Sequence, residues 1–356
     1  MPPILNSPPN EICILRLSAV GDICHALPVV RSLQRAWPAT RITWVIGKLE
    51  YALVGDIPGI EFIIFDKRAG LQAYRALRRK MRGRHYDVLL HMQMSLRASL
   101  ASLLIPATIR LGFDKKRASD LQWLFTNRRI AHHARQHVLE SFFQFSLALG
   151  VQDKQLTWDI PIPPALRATI RARLPGRPYL VISPCSSMAY RNWHATGYAA
   201  VADYAAETHQ LAIVLTGGPS DLERQMGEAI SRLCHHSVHN LIGQTSLKEL
   251  LAVLDDAHCV LSPDSGPAHM ATSVGTPVIG LYAATNPARA RPYLSADYVV
   301  DGYTQALQQK YAKSVEDLPW GIRMRDPGTM ARISEPQVNA SLDRLMADHP
   351  LPDDAR

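Results

Sequence analysis

Four loops hold the residues in this chain whose types and spacing could do chemistry, and three of them suit a phosphate. The run from Val260 to Pro277, VLSPDSGPAHMATSVGTP, reads as a buried strand that breaks into small residues and restarts as a helix. Asp264, Ser265 and Gly266 fall where strand gives way to helix, and the unpaired N–H groups and positive dipole end of that first turn attract an anion. Gly266 lets backbone and ligand approach closely. Pro267 takes an early helical position where its missing N–H costs nothing, and His269 lies about one turn further in, able to point back at the same ligand. A capped helix, with Asp264 or Ser265 as N-cap, is the competing reading.

The second loop is SPCSSMAYRNW, residues 183–193. Ser186 and Ser187 followed by Arg191 form a grip for a diphosphate: hydroxyls and backbone N–H groups bond its oxygens, and the guanidinium neutralises departing charge. An exposed loop arginine is the alternative. The third loop, LTGGPSDLER at 215–224, sets a carboxylate just beyond paired glycines, where an acid can bond ribose hydroxyls. Capping by Ser220 or Asp221 competes, and spacing does not separate Asp221 from Glu223. The fourth loop, Ser18-Ala19-Val20-Gly21-Asp22, places Asp22 either as N-cap of the following helix or as a general base for a substrate hydroxyl. Its single glycine fits neither GxGxxG nor the P-loop pattern, which argues against an NAD-linked oxidoreductase. The histidines at 132, 133, 137, 235, 236 and 239 lack a carboxylate or cysteine at metal-ligand spacing, so no metal site is expected. Five cysteines without paired spacing read as reduced, mostly buried thiols.

These loops need strands to end on and helices to open. Short apolar runs alternate with segments of helical period along the whole chain, the pattern of parallel sheets covered by helices. The spacing predicts strands near 12–17, 42–46, 61–65, 86–91 and 108–112, with helices near 23–36, 70–82, 96–105 and 136–149. A proline-dense segment, about 152–178, marks a domain boundary. Beyond it come strands near 179–183, 211–215, 258–262 and 277–281, helices near 195–208, 220–234, 247–255 and 267–274, and an amphipathic helix at 335–347. Two doubly wound domains follow, with ligands outside the carboxyl ends of the strands.

A length of 356 residues favours about two domains, and 47% hydrophobic with 20% charged residues describes a globular protein rather than a disordered one. The absence of a long apolar run or of a secretory leader predicts a cytoplasmic protein. The net charge of +8 is concentrated early, in Arg75–Arg84 and in Lys115–Arg129. Two such clusters suggest an anionic partner such as a phosphorylated lipid surface, and without interleaved aromatics they do not suggest nucleic acid. A non-catalytic binder of acidic lipid would use these clusters, but would leave the three phosphate-suited turns unexplained.

Taken together, ILRLSAVGDICHALPVVRSLQRAWP, SPCSSMAYRNW, LTGGPSDLER and VLSPDSGPAHMATSVGTPVIGLYAATNPARARPY resemble the ADP-heptose:lipopolysaccharide heptosyltransferases, glycosyltransferase family 9, in order and over nearly the whole chain. The resemblance implies an α/β GT-B fold of two Rossmann-like doubly wound domains facing across a cleft. Residues 1–160 would bind the acceptor, 161–334 the ADP-sugar, and 335–356 would cross back onto the N-terminal domain. It implies Asp22 as catalytic base and Ser186 and Ser187 near the donor phosphates, with Arg191 in a place often held by lysine. Asp264, Ser265, Gly266 and His269 match the donor-binding turn, Asp221 or Glu223 the ribose contact, and Thr245 a position beside the nucleotide. Gly21, Arg97 and Arg117 are implied on the acceptor side. There the chain departs from the family's Asp-x-Gln-Gly and Ala-Arg-Glu segments, carrying His91-Met92-Gln93-Met94 and Arg117-Ala118-Ser119-Asp120. The implied reaction is an inverting, metal-independent transfer with ADP-heptose as co-substrate, no cofactor and an anionic glycolipid acceptor. It would run at the cytoplasmic side of the inner membrane, with the protein peripherally attached.

Overall fold

The computed structural model of the chain describes residues 2–351. In the first half, strands β1 (Glu11–Leu15), β2 (Arg41–Gly47), β3 (Ile60–Phe65), β4 (Tyr86–His91), β5 (Ala107–Gly112) and β6 (Arg128–Arg129) form one sheet in the order β3-β2-β1-β4-β5-β6. Every pairing is parallel. Such a sheet is covered on both faces, so its central strands read as unbroken apolar runs: Ile12, Cys13, Ile14 and Leu15 of β1 are wholly buried, whereas edge strand β3 alternates. Helices α1 (Val20–Ala36), α2 (Lys48–Val54), α3 (Leu71–Lys80), α4 (Leu96–Ser102) and α5 (Val138–Leu149) fill the connections. Ala73 and Leu77 of α3 and Ala98 and Ala101 of α4 pack in one cluster with Cys13, Leu15 and Leu89.

The second half repeats this plan. Strands β7 (Tyr179–Ile182), β8 (Ala212–Leu215), β9 (Val238–Asn240), β10 (Cys259–Pro263), β11 (Val278–Tyr282) and β12 (Val299–Asp301) run parallel in the order β12-β11-β10-β7-β8-β9. Its helices are α6 (Pro164–Arg171), α7 (Ala195–His209), α8 (Asp221–Leu233), α9 (Leu247–Asp255), α10 (Gly266–Ser273), α11 (Pro287–Ala290), α12 (Tyr303–Tyr311) and α13 (Glu335–Asp348). In each sheet the first strand of the half lies between the second and the fourth. The strand order therefore reverses beside β1 and beside β7, the position at which open sheets of this kind bind ligands.

The chain divides into two compact units, Met1–Pro161 and Ile162–Arg356. The proline-dense segment is ordered in two different ways. Its first part is strapped along α1: Trp158 Nε1 donates to Cys24 O (2.7 Å), Ser32 Oγ to Asp153 O (2.6 Å) and Arg31 Nη2 to Asp159 O (2.8 Å). Its second part contains α6, which the sequence reading missed. Pro164 stands at the first helical position, where proline is favoured rather than disruptive.

The expectation that the final helix crosses back to the N-terminal domain is corrected. Val338, Leu342, Leu345 and Met346 of α13 are buried in one cluster with Tyr198, Leu281 and Val300 of the C-terminal unit, which uses the apolar face of the helix within its own half. Residues 352–356 of the predicted 335–356 segment lie outside the described residues. Among the described residues no helix is long and apolar enough to cross a membrane.

Candidate active site

Asp22 is the third residue of α1, whose N-cap is Ala19, so the N-cap reading of Asp22 is corrected. Its Oδ2 reaches back to accept the Ala19 N–H (3.3 Å) and is ion-paired with Arg16. Arg16, just beyond β1, is almost buried, and a buried guanidinium requires partners. Besides Asp22 it donates through Nη1 to Met92 O (2.6 Å) and lies over the Phe142 ring at 5.3 Å. The loop 16–19 is tied across the strand reversal by Gln93: Leu17 N–H donates to its Oε1 (2.6 Å), and its Nε2 donates to Ser18 Oγ (3.2 Å). Gly21 is the second residue of α1, adjoining this fixed carboxylate. Glu50, at the start of α2, is a further buried carboxyl; burial pushes it up against the smaller opposing pull of its own backbone N–H, Lys67 and Arg16. Sequence spacing points to neither Arg16 nor Glu50, because each acquires its surroundings only through the sheet.

The two acceptor-side arginines differ. Arg97 is exposed on α4. Arg117 is committed inside the unit: it is ion-paired with Asp114 and donates to Gln136 Oε1 (3.0 Å), Ser141 Oγ (2.7 Å) and Ala131 O (2.7 Å). With four of its five N–H groups occupied, Arg117 clamps residues 114–141 together. Asp114 also meets His132 Nδ1 at 2.9 Å. Burial raises the Asp114 carboxyl, and the contacts with Arg117 and His132 outweigh it and hold it below the usual range.

In the C-terminal unit the predicted residues line the carboxyl edge of β8, β7 and β10. Ser183 Oγ and Thr216 Oγ1 are 2.5 Å apart, Ser262 Oγ donates to Ser183 O (3.1 Å), and Ser262 and Ser265 hydroxyls meet at 2.7 Å. Ser265 occupies the N-cap position of α10 but its hydroxyl does not cap, and Asp264 precedes the cap. The N–H groups around Gly266 therefore retain no side-chain partner from the cap residue, as an anion site requires.

Arg191 joins two of the loops. Its Nη1 lies 3.0 Å from Asp264 Oδ2 and donates to Asp264 O (3.2 Å), while His269 Nε2 lies 3.8 Å from Asp264 Oδ1. Burial alone would raise the Asp264 carboxyl; the His269 contact and the Arg191 charge outweigh it, leaving it below the ordinary carboxylate range. Ser186 is fixed by Asn192, whose Oδ1 accepts its N–H (2.8 Å), and Ser187 is exposed. Arg325, from a segment that the sequence reading left unassigned, lies over the Tyr190 ring at 5.8 Å with Arg191 over the same ring at 5.7 Å.

The third loop separates its two acids. Ser220 caps α8, and Glu223 folds back to accept Gly218 N–H (2.9 Å) and Ser220 O–H (2.7 Å). Asp221 instead points outward, paired with Arg224 and largely exposed. Gly243 N–H donates to Gly217 O (2.9 Å), which brings the loop containing Thr245 alongside the paired glycines. The histidines have other occupations: His137 caps α5, and His235 and His236 meet Asp203 at 2.8 and 3.2 Å. Among the described residues no three His, Cys, Asp or Glu side chains form a group that could hold a metal ion.

One half thus presents a carboxylate immobilised in the first turn of α1, and the other a cluster of hydroxyls, the Arg191–Asp264 pair and the start of α10 at the carboxyl edge of its sheet. Against known proteins, the model of glycosyltransferase family 9 (heptosyltransferase) matches residues 74–318. The lipopolysaccharide core heptosyltransferase OpsX of Haemophilus influenzae is 40% identical over 96% of this chain and 99% of its own length. Among solved structures, the family 9 glycosyl transferase of Veillonella parvula aligns with a TM-score of 0.77 at 21% identity, covering 95% of this chain and 97% of that one. The Escherichia coli heptosyltransferase WaaC, solved with ADP-2-deoxy-2-fluoro heptose, aligns at 0.69 and 20% identity over 94% and 99% of the two chains. With the paired Rossmann-like sheets of a GT-B glycosyltransferase and a family match over more than half its length, the chain belongs to glycosyltransferase family 9, the heptosyltransferases.

Proposed function

We propose that this enzyme moves a heptose from ADP-heptose to a hydroxyl of the lipopolysaccharide inner core, carried on Kdo- or heptose-terminated lipid A. The observation that carries this reading is the end-to-end likeness to the H. influenzae lipopolysaccharide core heptosyltransferase, and the side-chain arrangement supports the residue roles given below. The acceptor oxygen attacks the anomeric carbon while the bond from that carbon to the ADP oxygen breaks, so configuration inverts and the electron pair leaves with ADP. Asp22 takes the acceptor's proton, with Arg16 and the Ala19 N–H holding its other oxygen. Charge growing on the diphosphate is met by Arg191, Ser186, Ser187, Ser265 and the N–H groups at Gly266, with Asp264 and His269 orienting that cluster. A well-placed donor in a comparable oxyanion site is worth about 3 kcal/mol.

Glu223, rather than Asp221, is assigned to the ribose, because it is turned into the glycine loop. Thr245 lies beside the nucleotide. Gly21 and Arg97 face the acceptor. ADP-heptose is a co-substrate, and neither cofactor nor metal is assigned a step. We place the enzyme in the cytoplasm, attached peripherally to the anionic inner membrane through its two basic clusters, with no role for nucleic acid.

ADP release measured with ADP-heptose and a panel of Kdo- and heptose-terminated lipid A acceptors tests the reaction. Release with none of them overturns it. General-base assistance contributes about 10²- to 10⁴-fold, so Asp22→Asn should lose turnover by that factor while ADP affinity is kept. Unchanged turnover would remove Asp22 from the base role.

A further inference from the structure

Five leucines around α4 face solvent. Leu96, Leu100 and Leu103 recur along one stripe of the helix, and Leu121 and Leu124 belong to the adjoining turn, whose residues Gln122–Phe125 pack on α4. All five are between 43% and 61% exposed, a grouping that marks an interaction surface rather than scattered apolar residues. The surface is held in place from beneath. The Arg110 guanidinium donates to Ser102 O (2.6 Å), Ile105 O (2.9 Å) and Phe125 O (3.0 Å), so one side chain fastens the end of α4 to the turn. Asp120 Oδ2 accepts Leu96 N–H (3.2 Å) at the other end.

The rim of this face is basic. Lys115, Lys116, Arg128 and Arg129 are exposed, and two of them reach the turn itself: Lys115 lies over the Trp123 ring at 5.4 Å and Arg129 Nη2 donates to Trp123 O (3.4 Å). Segments 71–84, 96–110 and 115–129 together contain a single acid, Asp120. Leucines bordered by cations match the boundary of a bilayer carrying anionic lipid: the apolar side chains enter the acyl region while the cations meet headgroup phosphates. A nucleic acid would engage the cations but leave the leucines in water. Two copies placed face to face would oppose cation to cation.

We infer that this leucine face seats the protein on an anionic lipid bilayer by shallow insertion, so that attachment has an apolar part that salt does not screen. The inference rests on the membrane attachment proposed above and adds the anchor that charge alone lacks.

Sedimentation with vesicles of phosphatidylglycerol and phosphatidylethanolamine, against vesicles of phosphatidylcholine alone, tests it. The wild-type chain should bind the anionic vesicles, and at about 0.5 M salt a residual fraction should remain bound, because salt screens exposed charges and not apolar contact. The variant Leu96→Ser/Leu100→Ser/Leu103→Ser should partition about a hundredfold less at either salt, at about fivefold per leucine. Leu222→Ser, which changes an exposed leucine of the C-terminal unit, should bind as wild type. An unchanged unfolding midpoint and ADP-induced thermal shift show that the triple variant is folded. Wild-type partitioning by that variant, complete release of the wild type by salt, or a shift of sedimenting species from dimer to monomer on substitution would each overturn the inference. Failure to bind vesicles alongside ADP release with a delipidated acceptor would sink the anchor and leave the transferase reading standing.

Discussion

The carboxylate of Asp22, proposed above as the base, keeps its structural contacts on one oxygen. Oδ2 holds the start of α1 through Ala19 and meets Arg16, so the proton-accepting part of the group is assigned to Oδ1. A similar division distinguishes the acids of the third loop. Glu223→Gln should raise the KM for ADP-heptose several-fold with kcat nearly unchanged, whereas Asp221→Asn, altering an outward side chain, should change neither; steady-state kinetics on the two variants reads this directly, and equal effects would contradict the assignment. Asp22, Arg191 and Asp264 were legible in the sequence because each follows an apolar run and opens or precedes a helix. Arg16, Gln93 and Arg325 were not, since the contacts that matter to them join distant positions, as with Arg16 and Met92, 76 residues apart.

At the scale of elements, β4, α4 and the turn Gln122–Phe125 meet at one histidine. His91 is wholly buried; its Nδ1 faces the Gln122 amide nitrogen at 3.2 Å and its Nε2 faces Ser99 Oγ at 3.3 Å. Because Gln122 Oε1 accepts Phe113 N–H, its nitrogen is the group turned to the ring, and a ring nitrogen that accepts is neutral. Burial first, then the charges of Arg110 and Arg16, lower His91 to about 3. The unfolded chain binds its proton near pH 6.5, so stability is full above that value and is lost progressively as pH falls toward the folded value. The drop in unfolding midpoint between about pH 7 and about pH 4.5 should therefore shrink in His91→Gln; an identical drop would place the acid sensitivity elsewhere. Nine strands were readable from apolar runs. Strands β6, β9 and β12 were not, since Arg128–Arg129, Val238–Asn240 and Val299–Asp301 are edge pieces of two or three residues with little apolar signal.

For the whole molecule, a net charge of +8 concentrated in one half should steer anionic substrates toward it. With a soluble, delipidated acceptor, kcat/KM should fall several-fold between about 0.05 and about 0.5 M salt while kcat at saturation stays nearly constant, since screening acts on encounter; salt-independent kcat/KM would deny the steering. The two-domain plan was readable because the alternation of runs stops and restarts around the prolines. The seat of α13 was not, as an amphipathic helix shows that one face is covered without showing by what. The shared strand order has a consequence for synthesis on the ribosome. In each half the strand made first ends in the middle of its sheet, so its loop stays unformed until the fourth strand emerges. The first half has all six of its strands before the second begins, and can acquire the pairing around Asp22 while the second half is still being translated.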